Sequence, residues 1–439
     1  MTPNTPFLTN PEVISLSLAT LNDLAYDTWE PGLNDELETV TGSLYSFLQK
    51  SSKDVKGRKT FIKFLKGRSL GVANIDEGGA FPEAGDPSYD EAEIYLKRIA
   101  ATVEFTLDEI DLLNGRDAAA LPVVQHKLDD LVRTVRRDVV RQSWGDGSAK
   151  LANAASVSSQ VITLDATTTS QIDRDRFNWL EENGLKIDVV HGTTGAAQAT
   201  GLSISNINRS TNEVTVVGDA SGVTSSGVLV RSGNGYGTGG AYTSREFTGV
   251  MGALSETNTY LTLDRTAAGV GYFWKSNVVG NSGTLRPLTL DVILQLINNM
   301  NRRTGKAPID SDHAFFANLG VWSAYGEQLQ PAVRYQGYQK MDMGWPELEI
   351  FGVPFYGDIH APHNNLFLIH KPSFAYRVPK YQERGTFQFQ NMDGSMWRYV
   401  PATSGYKAKV QSHLTGMMTL VTEHPRMHGR VDDLEELGV

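Results

Sequence analysis

The sequence predicts an α+β protein of more than one domain, with a small β domain inserted between mixed parts. Three observations carry this. One amphipathic segment of about 25 residues runs from 119 to 143 and meets a Gly-Asp-Gly stop. A block from about 160 to 240 is rich in Thr, Ser, Gly, Val and Asn and places short strand-like runs between turn residues. The segments before the helix and after the block mix alternating runs with two shorter helical periods.

Composition bounds the possibilities. A chain of 439 residues exceeds one typical core. Its 42 glycines point to many turns, and its formal charge of -10 argues against a surface built to wrap nucleic acid. With no cysteine, the chain has no disulfide, no thiolate metal ligand and no cysteine nucleophile. Met1–Asn10 lacks a basic stretch followed by an apolar core, and nowhere do about 18 apolar residues run together, so a soluble chain made in the cytosol is expected.

Residues 1–49 carry scattered apolar positions, among them Val13, Leu16, Leu21, Leu24, Trp29 and Leu37, between acidic ones. They read as an extended or partly helical arm whose apolar side chains need another surface. From Lys50 to Arg68 the chain is basic, with Lys53, Lys56, Arg58, Lys59, Lys63 and Lys66 opposed only by Asp54. From Asp76 to Glu93 it is acidic, with Glu77, Glu83, Asp86, Asp90 and Glu91 and no basic residue. Between and across these blocks lies Gly71–Tyr89, with four glycines and two prolines in nineteen residues. That content cannot continue a helix or a central strand, yet Val72, Ile75, Ala80 and Phe81 are too apolar for a solvated linker. The stretch is expected to be a projecting loop, flanked by strands over 60–65 and 94–105.

Asp117 is a plausible helix cap and Pro122 fits the opening turn. Leu121, Val124, Leu128, Leu131, Val135 and Val139 then form one apolar face, with Lys127, Asp129, Asp130, Arg133, Arg136, Arg137 and Arg141 opposite. Strands are expected at 161–164, 185–190, 202–207, 213–217 and 228–231, suiting a small antiparallel barrel or sandwich with Gly233–Gly240 as its exit linker. Helices are expected over 289–304, stopped by Gly305, and 319–329. Further strands are expected at 313–317, 348–353, 365–370, 387–390, 397–400 and 417–422, and the acidic tail 432–436 is expected to be solvated.

Chemical motifs are weak throughout. The glycine run 233–240 lacks a following helix start and a Gly-Lys-Ser/Thr, so it reads as linker and not as a phosphate loop. His360, His363 and His370 near Asp358 have metal-ligand chemistry, but Pro362 keeps the first two off a common helical face; a surface turn is preferred there, and again for His424 and His428. The acidic residues of 76–93 do not fall at calcium-loop spacing, and no Gly-x-Ser-x-Gly is present. No catalytic, cofactor or metal residue is therefore assigned. The aromatic C-terminal half, from Phe351 to Tyr399, has strand-like spacing that makes core the default over a carbohydrate platform.

The order of elements, together with Glu77-Gly-Gly-Ala-Phe-Pro82, Trp144-Gly-Asp-Gly147, Asp264-Arg265 before Tyr272-Phe-Trp274, and Ile350–Gly357, resembles the major capsid protein of tailed bacteriophages. The resemblance covers residues 50–150 and 240–380. It implies an N-terminal arm at 1–49, an extended loop at 50–100, a peripheral domain at 101–160 and 371–439 with spine helix 119–143, and an axial domain at 241–370. The block 161–240 departs from the pattern as an inserted β domain. The resemblance further implies hexamers and pentamers assembled in the host cytoplasm into an icosahedral virion shell that encloses double-stranded DNA, held by proximity alone. A separate scaffolding protein, a portal and a possible decoration protein are the implied partners besides the chain's own copies. Some relatives weld subunits through a lysine of the extended loop; no crosslink is expected from the lysines here.

The intersubunit contacts expected on this reading use Trp29, Lys56, Arg58, Lys59, Lys63, Lys66, Arg68, Ile75, Asp76, Glu77, Phe81, Glu83 and Asp86. For the charge blocks an alternative stands beside it, in which both arms of one hairpin pair within a subunit. The rival functional class is a carbohydrate-binding module or hydrolase built on the inserted β domain and the aromatic C-terminal half.

Overall fold

A computed structural model describes residues 43–67, 71–83, 85, 88–106, 120–165, 180, 184–237, 244–267, 270–305, 312–333, 348–380, 387–389, 397–403 and 405–437. Most of the arm with Trp29, as well as Arg68, Asp86, Asp117 and Tyr381, lies outside them. The chain divides into two compact units, one containing 99–137 and 385–416, the other 40–98, 138–384 and 417–439.

The chain enters through α1 (Ser43–Phe47) and β1 (Gln49–Ser51). β2 (Val55–Lys56), β3 (Lys59–Gly67) and β4 (Ser88–Tyr95) form a three-stranded antiparallel sheet. The run expected as one strand over 94–105 is broken at Leu96, whose N–H goes to the Arg58 carbonyl. Before the break the chain pairs with β3; after it, β5 (Lys97–Thr106) pairs elsewhere.

α2 (Ala120–Trp144) follows, 25 residues long and so roughly 37 Å. Leu128, Val132, Val135 and Val139 are its buried stripe, with Leu131 half-buried, so Val132 replaces Leu131 in the expected face. Arg133 and Arg137 are exposed, but Arg141, expected beside them, is buried. The Gly145 N–H closes onto the Arg141 carbonyl, and Gly147 takes φ +86, which only glycine adopts at little cost, ending the helix.

β6 (Lys150–Ser158), β7 (Val161–Leu164), β8 (Lys186–His191), β9 (Ala197–Asn208), β10 (Glu213–Val217) and β11 (Gly227–Arg231) close into a barrel in the order β10-β7-β6-β11-β8-β9. Closure leaves no unpaired edge. Ile162, Leu164, Ile187, Val189, Leu202, Ile204, Val214, Val216 and Leu229 fill the interior, and bulges such as those at Ala154/Ser156 and Thr215/Val216 bend the strands to close it. The barrel starts at Lys150, ahead of the expected border at 161, because β6 is a full member between β7 and β11.

After the barrel come α3 (Val250–Ala253), the hairpin of β12 (Thr259–Tyr260) and β13 (Leu263–Asp264), α4 (Gly271–Trp274) and β14 (Asn277–Val279). α5 (Leu290–Thr304) ends at Gly305, left-handed at φ 68, as the sequence predicts. β15 (His313–Ala317), α6 (Leu319–Val333), β16 (Leu348–Ile350), β17 (Val353–Gly357) and β18 (Leu366–His370) complete this part, and Val279, Ile293, Leu296, Met300, Phe315, Val321, Phe355 and Leu368 share its core. β19 (Phe374–Arg377), β20 (Phe387–Phe389), β21 (Arg398–Pro401), β22 (Tyr406–Thr422) and β23 (Gly429–Val431) end the chain.

In the first unit β5, β20 and β21 pair with the N-terminal part of β22, and Phe105, Phe389, Trp397, Val410 and Leu414 are buried there. The Lys127 Nζ of α2 lies 5.2 Å from the centre of the Phe105 ring. In the second unit β19 pairs with the C-terminal part of β22, and β1 pairs in parallel with β19. There too, β23 lies between β14 and β18 in the sheet β14-β23-β18-β15-β17-β16, so the last strand belongs with 277–370 and not apart from it.

Two expectations are corrected here. The acidic tail is packed, not solvated. Asp433 accepts the Asn281 and Gly283 N–H groups, Leu434 is buried, and Glu436 accepts the Asn364 N–H at 2.6 Å and meets His363 Nδ1 at 2.8 Å. Between those two carboxylates Leu434 makes an isolated parallel bridge to Arg286. His428, expected on a surface turn, is fully buried, because β23 carries it into the middle of a sheet.

Candidate self-association surface

The antiparallel register of β3 and β4 sets two faces. Lys59 stands opposite Tyr95, Phe61 opposite Glu93 and Lys63 opposite Glu91 on one of them. Thr60, Ile62 and Ala92 are buried on the other, where Phe64 stacks on Trp274 at 4.7 Å between ring centres. The base of the hairpin is therefore fixed by an aromatic stack. Trp274 is itself held, since its Nε1–H donates to the Tyr260 carbonyl at 3.0 Å and its own carbonyl accepts Arg265 Nε–H at 3.0 Å.

Arg265 is 0% exposed. Its guanidinium also donates to the carbonyls of Gly252, Ala253 and Ser255 and to Asn258 Oδ1, and it lies 4.6 Å from the Tyr260 ring centre. Five acceptors around one planar cation replace its water, which makes a buried charge tolerable. Asp264 stays outside this cage; Thr266 Oγ1 and then the Thr266 N–H hold its carboxyl below the usual range.

The charge blocks pair within the chain where the hairpin brings them together. Lys59 Nζ lies 3.1 Å from Glu93 and 4.5 Å from the Tyr95 ring centre; Lys63 Nζ lies 3.8 Å from Glu91. Hydrogen bonding to Tyr95 and then to Glu93 raises the Lys59 pKa. Lys56 is exposed beside the Phe61 ring, and Arg58 is exposed. Lys66 lies on β3.

The loop beyond the strands is different. Val72 is 87% exposed, Phe81 85% and Ile75 47%, with Asp76, Glu77 and Glu83 exposed among them. A turn orders its middle, with the Gly79 N–H donating to the Asp76 carbonyl at 2.9 Å and Gly78 at φ +81, where a side chain is disfavoured. On the outer face of β4, Tyr89 and Tyr95 are exposed as well. The result is an acidic, apolar loop on an anchored base.

No family model matches the sequence, and no curated protein does. Among solved structures, the chain is similar to a subunit of the Cyanophage A-1(L) capsid asymmetric unit, at 13% identity over 89% of this chain and 92% of that one, with a TM-score of 0.48. It is also similar to the capsid of a native GTA particle, at 10% identity over 89% and 90%, TM-score 0.42. A third is the holo-SrpI encapsulin complex from Synechococcus elongatus PCC 7942, at 11% identity over 89% and 87%, TM-score 0.40. None of them assigns a role to a residue of this chain.

Among the described residues no group of three His, Asp or Glu side chains is arranged to hold a metal. Phe355, Phe367, Phe374, Tyr376, Phe387, Phe389 and Trp397 are buried core residues, as the strand-like spacing leads one to expect, while Phe351 and Tyr399 are exposed. An open groove of about 560 Å³ at the barrel is lined by Val157, Ser159, Gln160 and 218–221 with Val223, and offers no ring for a sugar to stack on.

Sequence reasoning missed Phe64, Trp274 and Arg265 as the supports of the hairpin. Asp264-Arg265 and Tyr272-Phe-Trp274 were noted only as part of the resemblance, and Phe64 only as one aromatic of a strand-like run. The contact joining them spans about 200 positions and has no periodicity to reveal it.

Proposed function

We propose that this chain is the structural subunit of an icosahedral shell, self-assembling into hexamers and pentamers that enclose packaged double-stranded DNA. The observation that carries the reading is the loop of β3 and β4. It holds Val72, Ile75 and Phe81 in solvent on a base clamped by the Phe64–Trp274 stack. Large apolar side chains on a rigid projection gain only when another surface covers them, and repeated copies supply one. Asp76, Glu77 and Glu83 add a charge that selects a basic partner surface, and the two ion pairs at the hairpin base leave these three acids to an intersubunit role. Lys56 and Arg58, exposed at the other end of the hairpin, are cations of the kind that role calls for.

The formal charge of -10 suits an inner wall along which DNA is packed without adhering. On this reading the partners besides its own copies are a scaffolding protein, a portal and a decoration protein. The chain would reside in a virion capsid after assembly in the host cytoplasm. Light scattering and negative-stain microscopy of the purified protein test it: closed particles of uniform size are expected, alone or with a scaffold. A discrete 48.1 kDa species under all assembly conditions would overturn it.

A further inference from the structure

Three imidazoles meet inside the second unit. His313 on β15 and His370 on β18 are register partners with ring centres 4.7 Å apart, and the His428 ring, on the residue just before β23, lies 6.4 Å from that of His370. His428 is 0% exposed, and His313 and His370 are buried.

Hydrogen bonds define the state of His428. Its Nδ1 accepts the His370 backbone N–H at 3.1 Å, so that nitrogen carries no proton. Its Nε2 faces the Thr422 hydroxyl at 2.8 Å and the Ser373 hydroxyl at 3.1 Å, both able to accept, so the ring is the neutral Nε2–H form. Ser373 Oγ is shared with His370 Nδ1 at 2.9 Å. The same ring therefore ties the ends of β18 and β22 to the start of β23. Asn277 of β14 adds a bond from its amide to the His428 carbonyl.

A second proton has no place to go. On Nδ1 it would point at the His370 N–H, donor against donor, and the bond between β18 and residue 428 would break. The titratable groups facing the ring are His313 from β15, His370 from β18 and His424 from the turn before it. The remaining contacts are the hydroxyls of Thr422 and Ser373 and the ring of Phe374. Glu423, next in sequence to Thr422, is engaged by Arg377 and Lys53 instead.

We propose that His428, packed beside His370 and His313, is an acid-sensitive latch: proton uptake on its ring in acid releases residues 422–428 from the end of β18 and loosens the sheet around β23. The direction follows from linkage. Burial, then the neighbouring His370, His313 and His424, hold the His428 pKa well below its ordinary 6.5. Between that depressed value and 6.5 the unfolded chain binds the proton and the folded chain does not. Stability from this site is complete above 6.5 and declines as pH falls, by up to about tenfold in the folded-to-unfolded ratio per pH unit for one proton.

Hydrogen exchange of the full chain at pH 7.5 and 5.5, corrected for the chemical pH dependence of exchange, tests the latch. Segments 366–374 and 419–431 are expected to lose protection by about tenfold more than barrel segments 186–217. Equal changes in the two regions, or none, overturn the proposal. A second arm uses His428→Asn, which keeps an acceptor toward the His370 N–H and does not titrate. It is expected to be less stable than the original at pH 7.5 and to lose less between pH 7.5 and 5.5. Parallel stability curves for the two proteins overturn the proposal; if the variant fails to fold, the exchange result on the original chain decides alone. Neither arm depends on shell formation.

Discussion

Replacing Phe81 by serine separates folding from assembly. The ring is 85% exposed in the single chain, so its removal costs the fold almost nothing. If a neighbouring copy covers it, burial of a phenylalanine contributes about 2 kcal/mol at each loop contact. Each subunit presents one such loop, so the loss recurs once per subunit around a closed shell. The subunit concentration at which particles first form is then expected to rise about 30-fold, at 1.4 kcal/mol for each factor of ten. Light scattering against concentration gives that threshold, with sedimentation velocity to separate particles from free subunits. Circular dichroism and the thermal midpoint serve as the folding control and are expected to match the original protein. An unchanged threshold with an unchanged midpoint refutes the claim that the loop is covered by a neighbour; a lowered midpoint refutes the claim that Phe81 is free in the subunit.

Three further changes probe the supports. Trp274→Ala removes the stack under Phe64 and is expected to cost about 3–5 kcal/mol in urea denaturation, with exchange of amides in 59–65 and 88–95 rising more than in the barrel. Glu246→Gln leaves Arg141 and Arg231 sharing the single anion Asp138 in a buried network, a loss of about 3 kcal/mol read from the denaturation midpoint. There burial alone would raise the Asp138 pKa, but the charges of Arg141 and Arg231 outweigh it and hold the group below the usual carboxylate range. Gly249→Ala places a methyl 2.2 Å from the Gln142 carbonyl oxygen and 2.4 Å from that of Ser143, backbone atoms that cannot turn aside, and is expected to lower stability by about 1–3 kcal/mol or to prevent folding.

Much of the fold was legible because its signals are local. The strand at 161–164, the strand at 213–217 and the strand at 313–317 alternate or run apolar between turn residues and form where expected. Gly305 stops α5 for the reason any glycine does after a helix, by taking the left-handed conformation. β6 was missed because Lys150–Ser158 is alanine-rich and carries little β-propensity; it forms because barrel closure needs a partner on each side of it. Arg141 reads as a surface arginine on a helical wheel, yet Glu246, 105 positions away, makes it an interior one. Burial of His428 likewise depends on where β23 inserts, which no pattern within the strand reveals.

The charge reversal between 50–68 and 76–93 was legible as a pairing but not as a destination, and the hairpin shows why. Antiparallel strands match the far end of the second block to the near end of the first, so Lys59 meets Glu93 and Lys63 meets Glu91. Asp76, Glu77 and Glu83 are exposed in the loop beyond these pairs. A hairpin built only to satisfy its own charges would stop where the pairs do. This one continues through Val72, Ile75 and Phe81, apolar groups that raise the cost of the free subunit in water and return it only on contact, and that continuation is the strongest argument for a second copy as their partner.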